Sequence, residues 1–248
     1  MPTEYGLGVR WASRARGGLP KQGRHATLTV VTRLILVRHG ESKATVRRTI
    51  GGPRSCDGLS ELGITQAERL RDRLAASHEI TADALYASGY PRARETAEVI
   101  APALGLPVVV DEGWGEHDPG PDSDGLSFEE FVARHGTPDW EGHVDAVVFP
   151  SGETVRQFHD RIGDAVQRML VAHDGGCIVV VCHGGVVDAV MRHALQAPPR
   201  GAFDLFTKNT SVTEFLVVRP DRWRLERYND AAHLVGLPLE TPRAGASV

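Results

Sequence analysis

Two uninterrupted apolar runs stand out along the chain, Leu34-Ile35-Leu36-Val37 and Cys177-Ile178-Val179-Val180-Val181-Cys182. Runs of this length, each ending at polar residues and glycine, read as strands buried on both faces, the habit of a parallel sheet. Elsewhere the period lengthens or alternates. Residues 41–57 read as a loop, after which Ile64, Ala67, Leu70 and Leu74 recur at helical spacing behind Ser60. Residues 83–88 predict a second strand ending at Ser88-Gly89, and Pro91 suits the first turn of the helix that follows. Residues 107–110 predict a short strand and 111–120 a loop. Residues 121–150 are less regular and hold one helix, around Phe128, Phe131 and Val132. From Thr154 to Val171 the chain is amphipathic, with Val155, Phe158, Ile162, Ala165, Val166, Met169 and Leu170 on one side. A helix is expected over 186–195, and residues 211–218 and 223–228 alternate as late strands, antiparallel at an edge. Strands alternating with helices predict an α/β fold, a three-layer α/β/α sandwich with a mostly parallel central sheet.

Composition narrows the class. At 248 residues, 41% hydrophobic and 24% charged, the chain has a globular balance and length for one sizeable core. The expected organisation is an N-terminal extension over 1–31, disordered, a single domain over 32–235 with residues 121–150 as cap or lid, and a C-terminal tail over 236–248. The extension scatters Arg10, Arg14, Arg16, Lys21 and Arg24 among Gly and Pro, without the apolar stretch of a secretory signal. A basic tail for an acidic partner, or a true start near Val30 or Val31, are the alternatives there. The net charge of −4 argues against a nucleic-acid partner. No run approaches the roughly 18 apolar residues that span a bilayer, so no membrane partner is expected. Cys56, Cys177 and Cys182 are odd in number and lack CxxC spacing, which disfavours zinc or a disulfide framework and suits a reduced, cytoplasmic compartment. A homodimer is compatible with the sequence, which selects no oligomeric state.

The candidate chemistry gathers at strand ends. The first run leads into Arg38-His39-Gly40-Glu41 and the second into His183-Gly184-Gly185. A parallel sheet presents its strand C-termini along one edge, where open α/β folds bind ligands. His39 and His183 are therefore expected to face each other across one pocket. The strand ending at Ser88 feeds a helix carrying Arg92 and Arg94, and helix N-termini add unpaired N–H groups. Two imidazoles, guanidinium groups and backbone donors make an anion site, and phosphate fits it best because guanidinium forks match its oxygens. A lone Arg-His-Gly is more often a structural turn; the second His-Gly, together with the later blocks that resemble a known family, tips the reading to catalysis. Physics alone does not choose between Arg92 and Arg94, nor single out Glu116 among Asp111, Glu112, Asp118 and Asp122. Of 11 histidines, the nine besides His39 and His183 lack convincing metal-ligand spacing, so no metal is expected.

Taken in order, these motifs resemble a known family. Arg38-His39-Gly40-Glu41 resembles the signature of the histidine phosphatase superfamily, the phosphoglycerate-mutase-like enzymes. Asp57, Leu59, Ser60, Gly63, Gln66 and Ala67 resemble its next block, Pro91-Arg92-Ala93-Arg94-Glu95-Thr96-Ala97 its second arginine motif, and Glu116-His117-Asp118-Pro119-Gly120 its acidic loop. Ser151-Gly152-Glu153-Thr154, Cys182-His183-Gly184-Gly185, Asn209-Thr210-Ser211-Val212 and Asn229-Asp230 with His233-Leu234 follow, so the resemblance covers residues 32–234. It implies a phosphoglycerate-mutase-like sandwich with an inserted cap, working without metal or cofactor. It also implies that His39 attacks phosphorus and becomes phosphohistidine, while Arg38, Arg92 and His183 bind the phosphoryl oxygens. Glu116 would protonate the leaving alcohol and then activate water. Ser42, Thr45 and Gly184 are further candidate substrate contacts, a solvated loop being the equal alternative for the two hydroxyls.

The chain departs from the family at Thr45, where many members carry Asn, and at Pro119, where an aromatic is frequent; its extension has no counterpart there. Residues 121–150 hold Arg134 as their one Lys or Arg against several acids. Such a cap repels a bisphosphate, which favours a phosphomonoesterase acting on a small phosphorylated metabolite over a 2,3-bisphosphoglycerate-dependent phosphoglycerate mutase. A non-catalytic phospho-ligand-binding protein on the same fold is the reading from another class, and retention of both His39 and His183 weighs against it. Trp114, Trp140, His143 and Phe149 either select the leaving group or pack the lid, packing being the commoner role of large aromatics.

Overall fold

The structure, a computed structural model, describes residues 31–238 and residue 241. The expectations for residues 1–30 and for most of the C-terminal tail fall outside the described residues. The chain runs β1 (Thr32–Arg38), α1 (Lys43–Val46), α2 (Glu61–Ser77), β2 (Ala84–Ala87), α3 (Pro91–Leu104), β3 (Val108–Val110), α4 (Phe128–His135), α5 (Val155–Ala172), β4 (Cys177–Cys182), α6 (Gly184–Leu195), β5 (Val212–Arg219) and β6 (Arg222–Asp230). Its six strands order as β3-β2-β4-β1-β5-β6. β3, β2, β4 and β1 are parallel, and β5 and β6 run antiparallel on the β1 side.

The strand period of two splits the apolar runs between two cores. Leu34, Leu36, Ile178, Val180 and Cys182 face one side, packed with Trp114, Ile162 and Val166 of α5 and Val187 and Val190 of α6. Ile35, Val37, Val179 and Val181 face the other, against Leu70 and Leu74 of α2 and Ala93, Ala97 and Ile100 of α3. The result is the three-layer sandwich the pattern predicts, and each large side chain so buried contributes roughly 1.5–3 kcal/mol. No helix among the described residues is long and apolar enough to cross a membrane.

Helix ends follow capping chemistry. Ser60 accepts from the Gly63 amide at the head of α2, and Ser127 and Thr154 form capping boxes at α4 and α5. Two boundaries differ from expectation. α6 starts at Gly184, not at Val186, because a pattern of side chains cannot see a first turn built from two glycines. α1 lies inside the expected loop, nucleated by Ser42, whose hydroxyl accepts from the Thr45 amide. Residues 121–150 carry α4 and a small core of Phe131, Val148 and Phe149, joined by Val155 and Ile50.

Candidate active site

Register delivers the catalytic edge. Arg38 pairs with Cys182 across β1 and β4, and Ala87 pairs with Val181 across β2 and β4. The next residue of each strand, His39, His183 and Ser88, therefore emerges in one row. Backbone bonds carry the register that one step further, from His39 N to Cys182 O at 2.9 Å and from Ser88 N to Val181 O at 3.0 Å. The His39 and His183 rings lie 5.0 Å apart at 62°, facing each other across one pocket as the sequence predicts.

The neighbours of the first ring fix its tautomer. His39 Nδ1 lies 2.6 Å from the Gly40 carbonyl, which can only accept, so Nδ1 carries the proton and Nε2 keeps its lone pair. Arg92 Nε donates to that Nε2 at 3.1 Å and to His183 Nδ1 at 3.3 Å, while Arg92 Nη1 donates to the Gly51 carbonyl at 2.9 Å. Among the described residues, every acceptor of this buried guanidinium is neutral. A buried cation so placed is poorly compensated, and an arriving phosphate dianion supplies the missing charge. Arg94 is exposed, so the structure brings Arg92 and not Arg94 to the site. Arg38 is 3% exposed and donates to the Thr207 carbonyl.

His183 is fully buried, and burial, reinforced by Arg92, holds its imidazole well below the usual histidine range. Because Nδ1 accepts from Arg92, the neutral ring carries its proton on Nε2, 2.8 Å from Ser88 Oγ. Tyr90 forms the floor. Its ring lies 4.6 Å under the Arg92 guanidinium, meets His183 edge-on at 4.9 Å, and its hydroxyl donates to the Glu116 carbonyl at 3.4 Å. Burial pushes the Tyr90 phenol up, so it stays a donor. No motif chemistry in the sequence marks Ser88 or Tyr90; their one signal is position after β2, on the same edge as the two histidines.

Of the acids in this region, Glu116 is the one whose carboxylate lies beside His183. Glu116 Oε2 accepts from the Gly185 amide at 3.2 Å, in the first turn of α6 beside His183, and Oε1 accepts from the His117 amide at 3.1 Å. Asp111 caps a short turn through Gly113 N at 2.8 Å, Asp118 accepts from Gly120 N at 2.9 Å, Asp122 bonds Ser151, and Glu112 is exposed. The Glu116 loop is clamped from α5. Arg161 donates to the carbonyls of Gly113 and Gly115, both at 3.0 Å, and of Glu116 at 3.2 Å, and pairs with Glu153 at 2.7 Å. Glu153, inside the Ser-Gly-Glu-Thr motif, in turn accepts from Asp118 N at 3.0 Å.

The remaining motifs brace the nucleophile loop. Asn209 Nδ2 donates to the His39 carbonyl at 2.7 Å and Thr210 N to the Arg38 carbonyl at 2.8 Å. Thr210 Oγ1 donates to the Asn209 carbonyl at 2.8 Å, so the 2.9 Å contact with His233 Nε2 is a bond that His233 donates. Two glycines are required by close approach: a Cβ on Gly40 would sit 2.5 Å from the Gly63 carbonyl oxygen, and one on Gly63 2.0 Å from that of Glu41. Of the candidate substrate contacts, Ser42 is buried with its hydroxyl on the Thr45 amide at 3.2 Å and 3.0 Å from the Thr45 hydroxyl. Thr45 lines a neighbouring cleft, and Gly184 is buried as the first residue of α6, where the helix has unpaired amides.

Comparison with known proteins places the chain in a family. Residues 34–231 match the family described as histidine phosphatase superfamily (branch 1). Phosphoglycerate mutase-like protein 4 of Arabidopsis thaliana is 32% identical over 207 residues, covering 81% of this chain and 86% of that protein. The metal-independent phosphoserine phosphatase of the same plant is 28% identical over 207 residues, covering 82% and 84%. Among solved structures, a mycobacterial glucosyl-3-phosphoglycerate phosphatase in complex with VO3 superposes with a TM-score of 0.66 at 26% identity, covering 79% of this chain and 98% of that one. With His39, Arg92, Glu116 and His183 on one sheet edge and the match running through all of them, the chain belongs to the histidine phosphatase superfamily and is an enzyme of its phosphatase class.

Proposed function

We propose that the protein is a metal-independent phosphomonoester hydrolase that works through a phosphohistidine at His39 on a small phosphorylated metabolite. The observation that carries this is the His39 ring, with Nδ1 committed to the Gly40 carbonyl and Nε2 directed at Arg92. In the first step Nε2 forms a bond to phosphorus as the ester oxygen leaves, and Glu116 gives that oxygen its proton. Arg92 and Arg38 neutralise the charge spread over the equatorial oxygens, the task that Mg²⁺ performs in other phosphoryl-transfer sites, and His183 hydrogen-bonds to them. In the second step Glu116, now a carboxylate, takes a proton from water as the water attacks phosphorus and His39 leaves.

Hydrolysis is favoured over mutase chemistry by the cap. Its one Lys or Arg, Arg134, is exposed and faces Glu130 at 4.0 Å on α4, so the cap itself offers a second phosphate little positive charge. Brief reaction with a ³²P-labelled monoester should give an acid-labile, base-stable label on the wild type and none on His39→Ala. Label retained by His39→Ala would defeat the mechanism. Isomerisation of 3-phosphoglycerate, stimulated by 2,3-bisphosphoglycerate and faster than hydrolysis, would replace the hydrolase by the mutase.

A further inference from the structure

A cleft of about 220 Å³ opens between the segment after the nucleophile and the cap, walled by Thr45, Arg48 and Ile50 on one side and by Phe128, Trp140 and Phe149 on the other. Both walls lead to catalytic groups. Ile50 precedes Gly51, whose carbonyl accepts from Arg92 at 2.9 Å. Trp140 and Phe149 pack on the ring of His117, at 5.4 and 6.0 Å, and His117 follows Glu116. The cleft therefore borders the segment whose Gly51 carbonyl holds Arg92 and the aromatic packing around His117, next to Glu116.

The walls are tied together before any ligand arrives. Ile50 N donates to Leu126 O at 2.8 Å and Phe128 N to Arg48 O at 3.0 Å. Arg48 itself holds φ +54°, a left-handed conformation uncommon outside Gly and Asn, with its amide fixed on Thr45 O at 3.1 Å. Two neighbouring guanidiniums face carboxylates: Arg47 pairs with Asp57 at 2.7 Å, and Arg134, more loosely, faces Glu130 at 4.0 Å. Arg48 has no ion-pair partner among the described residues, and it stands at the mouth of a cleft whose other lining is two threonines and apolar or aromatic side chains. The volume lies below the roughly 300–1,000 Å³ of pockets for drug-sized ligands, so the occupant is compact. One guanidinium, facing a cap that is otherwise acidic, matches one singly charged carboxylate better than a second phosphate.

We propose that this cleft is the leaving-group site and that Arg48 selects monoesters whose alcohol carries a carboxylate on a compact apolar or aromatic skeleton. The proposal rests on the hydrolase reading above and names its substrate class. Its test compares kcat/KM for 4-carboxyphenyl phosphate with that for 4-carbamoylphenyl phosphate, which has the same shape without the charge. The carboxamide is the more electron-withdrawing group, so the comparison is biased against the expected result. The wild type should prefer the carboxylate by about tenfold or more, Arg48→Gln should bring the ratio to about one, and Arg48→Lys should keep part of it. A ratio near one in the wild type, or a preference that survives in Arg48→Gln, overturns the proposal while leaving the hydrolase intact. Failure to hydrolyse either ester or phenyl phosphate would instead remove the hydrolase reading, and this inference with it.

Discussion

The two nitrogens of His183 have opposite duties, and Ser88 is what allows them to change. In the free site Nδ1 accepts from Arg92 and Nε2–H points at Ser88 Oγ, 2.8 Å away. A phosphoryl oxygen offers only lone pairs, so binding one requires Nδ1 to donate. A serine hydroxyl both donates and accepts, and can meet either the neutral ring with its proton moved to Nδ1 or the imidazolium. Ser88→Ala removes that freedom and leaves Nε2 buried without a partner, at roughly 1–3 kcal/mol, or about 5- to 150-fold in kcat/KM. Ser88→Thr should recover most of the loss. Activity of Ser88→Ala within twofold of wild type on an aryl phosphate would show that the hydroxyl plays no such part. This residue illustrates what a single sequence conceals. His39 and His183 are legible because each ends a run that must be buried; Ser88 ends a four-residue strand whose burial alternates and looks like any turn. Arg92 and Arg94 are alike on paper and separate only when helical phase sends one beneath His39 and the other to solvent.

Among the elements, the antiparallel edge is held by charge as much as by apolar contact. Arg227 on β6 donates to Glu214 on β5 at 3.0 Å and also bonds Glu79, beyond the end of α2. Arg73 on α2 reaches Glu79 at 2.7 Å and Asp230 at 2.6 Å, and its hydrogen bond to Asp230 holds that carboxyl down at about 2. Networked, partly buried pairs of this kind exceed the 0–1 kcal/mol of an isolated surface pair. Arg227→Ala leaves Glu79, Glu214 and Asp230 short of a shared cation and should lower unfolding free energy by about 1–3 kcal/mol. Arg134→Ala, which breaks an exposed pair at 4.0 Å, should change it by less than about 0.5 kcal/mol. Equal effects in urea titrations of the two variants would refute the distinction. None of this network is readable from sequence, since Glu79, Glu214 and Arg227 lie in polar or alternating stretches with ordinary surface spacing. β1 and β4 are readable because both faces are buried. β3 is marginal, with Val109 and Val110 about half exposed, and α1 is invisible because one capping hydroxyl, not periodicity, creates it.

For the molecule as a whole, four histidines make folding sensitive to mild acid: His117, which burial lowers beside Glu116, and three on separate elements. Burial holds His183 well below the ordinary range, and burial likewise lowers His159 on α5 to about 4 and His233 beyond β6 to about 4. Each brackets a different part of the site: His183 sits in it, His233 braces Thr210 behind the nucleophile, and His159 lies on the helix that clamps the Glu116 loop. The unfolded chain takes up these protons near pH 6.5, whereas the folded chain refuses them until pH is far lower. The unfolded state thus binds more protons between about pH 6.5 and 4, and the stabilisation present above pH 6.5 is lost as pH falls through that window. Asp230, with a depressed carboxyl, acts in the same direction below the ordinary carboxylate range, where it loses its contribution as pH falls toward about 2. Each proton bound by the unfolded chain alone adds at most about 1.4 kcal/mol per pH unit to the slope. Unfolding free energy from urea titrations should therefore decline steadily from pH 7 to pH 4.5. His159→Gln, which cannot titrate, should flatten the decline by no more than that single-proton amount. A stability unchanged between pH 7 and pH 5 would mean that these rings are solvated or paired in the folded state, and that the site is not held together by neutral imidazoles.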